Sequence, residues 1–536
     1  MTRNAFLLLF LAALMLLPAA ALAEADTEPF FTSSEEFSSR DMKNAYDESE
    51  CIDIVFSDTG IACSNDAVTV SGTTVTIRRK GTYRLTGSAK EGMIIVNAES
   101  GHKVQLVLSG LSLESQENGL IYVRQADKVF ITLAPDTQNT LLNGGSFQAL
   151  DGNSIDAVIF SKEDLTLNGS GALAISSPGG NGIVSKDDLA VTGGSYQIIA
   201  SGHALEANNS IRIAGGDFIL DAGKDGLHAD HEDADKGYCY LAGGNFDILA
   251  AGDGISASGK MQFDGGTFKI NATEDAVHAN ASVYVSGGAF DIATQDDAFH
   301  ADNALHIAGG SIRISQSYEG LEGQSILISG GEISLKASDD GLNAAGGNDQ
   351  SGFRGRWGGD MFAVDENCHI TISGGVLYVD AAGDGIDSNG HFTVTGGETY
   401  VSGPTNSGNG ALDFGGDGVI TGGIFLAAGS AGMAQSFDAT STQGVILATV
   451  NGSIALEPFT LKDAAGNELI SWQSEKNFNL LIVSCPEIRL GETYTLSLGE
   501  VSAQITMEQL VYTTGGSGGP GGPGGPGGPG NRPGRW

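Results

Sequence analysis

The chain has 536 residues, 80 of them glycine and only 12 proline, with 41% hydrophobic residues. Glycine at about twice its usual frequency argues against a helical protein, and the lack of an every-third-residue period outside the extreme C-terminus argues against a collagen-like one. Lys and Arg number 27 against 65 Asp and Glu, a net charge of −38 that excludes nucleic acids and anionic lipid surfaces as partners and belongs on a folded surface rather than a disordered tail.

Residues 1–23 read as an export signal: Arg3, an apolar run from Ala5 to Leu17, Pro18, then the small-residue site Ala21-Leu22-Ala23. The run is too short for a comfortable membrane span. The mature chain is therefore expected to be secreted and soluble, without membrane insertion, and a monomer. Residues 24–50 are polar and read as a loosely ordered N-terminal segment. The five cysteines, Cys51, Cys63, Cys239, Cys368 and Cys485, are too few and odd in number for a disulfide framework. Cys51 and Cys63 could pair locally, or all could be free thiols.

From about residue 51 to 430 the chain has a period. Gly-Gly pairs begin at Gly193, Gly215, Gly243, Gly265, Gly287, Gly309, Gly330, Gly374 and Gly396, in steps of 22, 28, 22, 22, 22, 21, 44 and 22. A second marker keeps the same register: Asp225-Gly226-Leu227, Asp253-Gly254-Ile255, Asp275-Ala276-Val277, Asp297-Ala298-Phe299, Glu319-Gly320-Leu321, Asp340-Gly341-Leu342 and Asp384-Gly385-Ile386. Between the markers lie short alternating apolar runs bounded by turn residues, which predict strands. Three brief strands in about 22 residues predict one coil of a parallel β-helix. Phe218, Phe246, Phe268 and Phe290 then form an internal ladder continued by Ile312, Ile333 and Leu377, with the glycine pairs at corners needing positive φ.

Stacking brings the marker acids into a file, because adjacent strands lie about 4.8 Å apart. The candidate metal ligands are Asp225, Asp253, Asp275, Asp297, Glu319, Asp340 and Asp384, with Glu274, Asp296 and Asp339 just before a marker, Glu322 and Asp387 three residues after, and Asp302 five after. Two such charges repel by roughly 1 kcal/mol in water and about 3–4 kcal/mol at an effective dielectric of 20. Either some carboxylates keep protons or cations lie between coils, and calcium suits an irregular all-oxygen site. Asp or Asn before Gly is also a common turn pair, so the column could equally be a corner device. His228, His278 and His300 recur at one position and read as an exposed row rather than a transition-metal site.

The 44-residue step marks an inserted loop at 346–366 that leaves the coil just after an acidic marker. Its Phe353, Arg354, Arg356 and Trp357 are candidate carbohydrate contacts, through ring-face packing and guanidinium forks for carboxylates. The same Arg-Trp pair could instead pin the loop to its own scaffold. After about residue 430 the marker vanishes, and 431–513 read as a small C-terminal β module that caps the stack. Residues 514–536 are a Gly/Pro-rich flexible tail.

Asp-Gly-Leu-His-Ala-Asp at 225–230, Glu-Asp-Ala-Val-His-Ala-Asn at 274–280, Asp-Asp-Ala-Phe-His-Ala-Asp at 296–302 and Asp-Asp-Gly-Leu-Asn-Ala at 339–344 resemble a family of secreted clostridial-type carbohydrate-binding β-helix proteins. The resemblance implies an all-β, right-handed parallel β-helix that binds calcium and attaches to cellulose and polygalacturonate. The same stretches are similar to the calcium site of family 9 pectate lyases. There the Asp-Asp-Gly-x-Asp signature is nearest at Asp339–Asn343 and Asp384–Asp387, with Asn343 in place of the final acid and Gly383 in place of the first. Three readings follow. The preferred one is a non-catalytic, calcium-dependent binder of plant cell-wall polysaccharide, secreted or cell-surface associated. The second is a lyase acting by β-elimination, for which Lys269 and Lys336 are the available bases. The third is a surface adhesin or rod stiffened by calcium.

Overall fold

The structure, a computed structural model, describes residues 28–345 and 364–514 apart from 455, 457 and 500. The expected export signal, the loop residues Phe353, Arg354, Arg356 and Trp357, and the tail beyond 514 lie outside the described residues.

Alternation of side chains creates the strands. In Thr267–Ala272, Phe268, Ile270 and Ala272 are buried while Thr267 and Lys269 face water, the period-2 pattern of a strand with one covered face. The strand pairs in parallel with Asn245–Ala250 through Phe246↔Phe268 and with Ala289–Ala293 through Phe268↔Phe290. The phenylalanine ladder forms: Phe218, Phe246, Phe268 and Phe290 stack at 4.6, 4.9 and 4.7 Å between centroids. It continues in register through Ile312, Ile333 and Leu377. At the corners the second glycine of each pair has positive φ, +106° at Gly266 and +108° at Gly288, where a side chain would be strained.

The right-handed parallel β-helix and the uniform repeat array expected from the period are corrected by the strand topology. Among the described residues the chain forms an almost all-β fold with a closed core barrel of parallel strands surrounded by accessory strands, and 42 strands belong to one hydrogen-bonded sheet. Hydrogen bonding does not stop at the corners. Asp188–Ala200 and Ser210–Ala222 each run 13 residues through a Gly-Gly pair and stay paired before and after it. Faces that would be separate in a solenoid are thereby joined. Both ends depart further from a coil stack through antiparallel pairing: Val68–Ser71 with Thr74–Ile77, and Phe478–Ser484 with Ile424–Gly429. The latter covers the edge of the last parallel strand, which would otherwise offer unpaired backbone groups to another chain. A separate sheet of 4 antiparallel strands, spanning Phe459 to Thr506, packs on a second core that includes Leu426, Phe459 and Leu496.

Residues 28–50 are not loose. Phe31 stacks on Tyr238 at 4.5 Å and exchanges two backbone-to-amide hydrogen bonds with Gln262. Arg40 lies over the Phe130 ring at 4.2 Å. Asp41, 2% exposed, accepts from Ser38 and Thr166 and pairs with Lys128 at 2.7 Å. Asp41→Asn leaves a mostly buried ammonium without its counter-charge, so a loss of about 1–3 kcal/mol is expected. It should read as a lower denaturant midpoint and faster proteolysis before residue 50. All five cysteines are free thiols.

Candidate functional site

Each marker sits at a corner ahead of a short strand. These strands, among them Leu227–Ala229, Ile255–Ala257, Val277–Ala279, Leu342–Ala344 and Ile386–Ser388, pair in parallel register. Two columns result. The marker column holds Asp225, Asp253, Asp275, Asp297, Glu319, Asp340 and Asp384. The second, at mid-strand, runs Glu206, His228, Ser256, His278, His300, Glu322, Asn343, Asp387 and Asp413.

The marker column carries a backbone ladder. The N–H of Asp253 donates to Asp225 Oδ1 at 3.0 Å, that of Asp275 to Asp253 at 3.0 Å, that of Asp297 to Asp275 at 2.9 Å, and that of Glu319 to Asp297 at 3.0 Å. Asp384 N–H likewise donates to Asp340 Oδ1 at 2.6 Å, and Gly410 N–H to Asp384. One oxygen of each of these carboxylates therefore holds the next circuit of chain, as a corner device would. What the second oxygen meets divides the column in two.

In the N-terminal half it meets imidazole. Asp225 Oδ2 lies 2.7 Å from His228 Nδ1 and 3.2 Å from His203 Nδ1. Burial alone would raise the Asp225 carboxyl, but hydrogen bonds from the two rings outweigh it and hold it below the usual carboxylate range. Asp275 Oδ2 lies 2.7 Å from His278 Nδ1, and His300 sits among Asp297, Glu322 and Asp302. His300 is 5% exposed, so the histidine row is not an exposed one at this point. Burial disfavours its charge, yet hydrogen bonds to Asp297 and Glu322 raise it to about 11. Asp253 has no hydrogen-bonded ring among the described residues and is raised to about 6 by burial and by Asp275, against the nearby His278.

In the C-terminal half carboxylates meet carboxylates. Burial and then repulsion from Asp384 and Asp339 raise Asp340 to about 7. Asp384 is raised to about 6 by burial, with Asp413 and Asp339 adding to it against the Gly410 hydrogen bond. Asp387 is raised well above its ordinary value by burial and by Asp340, Asp384, Asp413 and Asp339. A Cβ at Gly383 would collide with Asp340 Oδ1 and Asp339 Oδ1, so only glycine lets these oxygens converge. Asn343, 7% exposed, donates to Glu319 at 2.8 Å while its Oδ1 is buried without a partner among the described residues. An unpartnered buried acceptor beside crowded carboxylates costs stability unless a cation or donor meets it.

Glu274 and Asp296 are exposed. Several buried His/Asp/Glu groups have ligand atoms within 4.8 Å of one another and can coordinate a metal ion. The two lysines considered as bases are engaged elsewhere, Lys269 with Asp247 at 3.1 Å and Lys336 with Asp380 at 3.5 Å. Two features escaped the sequence reading. Asp413 extends the acid column beyond Asp387. Tyr378, exposed, stacks on Tyr400 at 4.9 Å on the outer face of the same circuits, a pair whose 22-residue separation was the available signal.

A family profile described as carbohydrate-binding domain-containing protein matches residues 71–320. A protein of that same description from Acetivibrio thermocellus is 32% identical over 150 residues, which are 27% of this chain and 52% of the relative. The chain thus spans about half the length of the curated relative it matches. A solved structure described as the polysaccharide lyase-like protein from C. thermocellum, a gadolinium derivative, is 29% identical over 48% of this chain and 96% of that one, with a TM-score of 0.41. Among the described residues no helix is long and apolar enough to cross a membrane. Over residues 71–320 the chain is therefore related to a carbohydrate-binding domain family.

Proposed function

We propose that this protein is a secreted, non-catalytic, calcium-dependent binder of plant cell-wall polysaccharide, with polygalacturonate and cellulose as the candidate ligands. The observation that carries the reading is the acid corner of Asp339, Asp340, Asp384, Asp387 and Asp413, with the buried Asn343 Oδ1 that has no partner among the described residues. Carboxylate and amide oxygens in an irregular cluster are the donors a calcium ion takes, six to eight at a time. These residues would hold it, and the ion would supply positive charge to a surface that otherwise repels uronates. Tyr378 and Tyr400 lie on the same circuits, as does Lys336, and Lys476 reaches in from the C-terminal part so that the two lysines flank Asp380. Together they offer apolar ring surface and cationic groups beside the acid corner. The backbone ladder of the upstream markers favours a second reading, in which the column serves a surface rod and no glycan is taken.

Retention of the mature protein on polygalacturonate and on cellulose, with calcium and after chelation, tests the reading while unsaturated sugar products are followed. Calcium-dependent retention without product is expected, weakened by Asp387→Asn and by Trp357→Ala, the latter with unchanged thermal unfolding. Product lost on Lys336→Ala or Lys269→Ala would establish the lyase instead, and absence of retention under every condition the rod.

A further inference from the structure

The acid corner does not account for the histidines upstream of it. His278 and His300 stand on adjacent strands with ring planes 1° apart and centroids 4.8 Å apart. Both turn Nδ1 to the same carboxylate oxygen, Asp275 Oδ2, at 2.7 and 4.0 Å. His300 Nδ1 is also 2.6 Å from Glu322 Oε2 and 3.5 Å from Asp297 Oδ2. Three successive circuits therefore bring together two sets of ligand atoms that share His300, Asp275 with His278 and Asp297 with Glu322, the atoms of each set lying within 4.8 Å of one another. Asp275, Asp297, His300 and Glu322 are each no more than 6% exposed. The other nitrogen of His300, Nε2, lies 3.3 Å from Asp302 Oδ1.

Donor chemistry and the outer contact both bear on what these atoms hold. Two imidazole nitrogens with carboxylate oxygens form a borderline set, which suits zinc and its neighbours rather than calcium. Ligands about 2.0 Å from a tetrahedral ion stand about 3.3 Å apart, inside the range of contacts already present. A carboxylate on the far nitrogen of a ligating histidine is the usual outer partner, since it fixes the tautomer and aims the free lone pair at the ion. Asp302 occupies that place. Three buried carboxylates around the rings leave negative charge that a divalent ion would neutralise.

We propose that His278, His300, Asp275, Asp297 and Glu322 form a site for a divalent transition ion of the zinc class, oriented by Asp302, which ties three circuits of the chain together. The site is separate from the acid corner and does not depend on glycan binding.

The test uses the mature protein stripped of metal by a chelator and titrated with Co2+, whose visible absorption reports nitrogen and oxygen ligation. A cobalt spectrum that Zn2+ abolishes and millimolar Ca2+ leaves intact is expected. His278→Ala should lose one bound equivalent, and Asp302→Asn should bind about 10–100-fold more weakly. Asp387→Asn should leave cobalt binding unchanged. His278 is half-buried, so circular dichroism melting checks that its variant folds; if it does not, Asp302→Asn alone decides. Displacement of cobalt by calcium would overturn the proposal. So would equal cobalt binding by the unmodified protein and by Asp302→Asn, or by a folded His278→Ala.

Discussion

Phe268→Ala is expected to cost about 3–5 kcal/mol of stability, read as a fall in the denaturant midpoint. The ring is 2% exposed, sandwiched between Phe246 and Phe290 at interplanar angles of 8° and 13°, and met edge-on by Phe263 at 5.2 Å. Its removal forfeits the transfer energy of the side chain, two stacking contacts and one edge contact, and leaves a void that the circuits above and below cannot fill while their own pairing persists. The adjacent Thr267→Ala, on the exposed face of the same strand, should change stability by no more than about 0.5 kcal/mol. A loss below about 1 kcal/mol for Phe268→Ala would show that the ladder is not where the core derives its stability.

The second large effect is the joint dependence of stability on pH and calcium. Asp340 and Asp384 are raised to about 7 and about 6, and Asp387 is raised as well. For a carboxylate raised on folding, the native state binds the proton more tightly than the unfolded chain. The stabilisation is complete below the ordinary carboxylate value and is lost as pH rises through the native one. In chelator, the melting temperature should therefore fall between about pH 4 and pH 7. Calcium should restore it at pH 8, by about 2.7 kcal/mol at a hundred times its Kd, and do little at pH 4.5, where protons already neutralise the site. Asp387→Asn separates the contributions. It removes one repelling charge, so it should melt above the unmodified protein in chelator yet gain less from calcium. Equal calcium gains in the two proteins would remove Asp387 from the ligand set.

Much of the site was legible because parallel in-register pairing turns a constant chain spacing into spatial adjacency. That is why the marker acids stand in file, and why Phe218, Phe246, Phe268 and Phe290 stack. It was harder to read what each carboxylate touches. Asp297 and Asp340 occupy equivalent marker positions, yet one faces His300 and the other Asp384 and Asp339. The difference comes from the neighbouring column, where His300 gives way to Glu322, Asn343 and Asp387. The docking of Phe31, Glu36 and Asp41 was hidden for another reason. Their segment has no period, and its partners Tyr238, Arg212 and Lys128 are far away in the chain.

By itself the amino-acid sequence determined which side chains point inward, where the chain turns and which residues become neighbours between circuits, because alternation and spacing are one-dimensional properties that local sterics enforce. Only the tertiary structure decided that the strands close into a core barrel within one continuous sheet, that His300 is buried among four carboxylates, and that Asn343 Oδ1 has no partner among the described residues. Those outcomes depend on hydrogen bonds that continue through the glycine corners and on exclusion of water by several circuits at once, and neither has a signature in the spacing of residues along the chain.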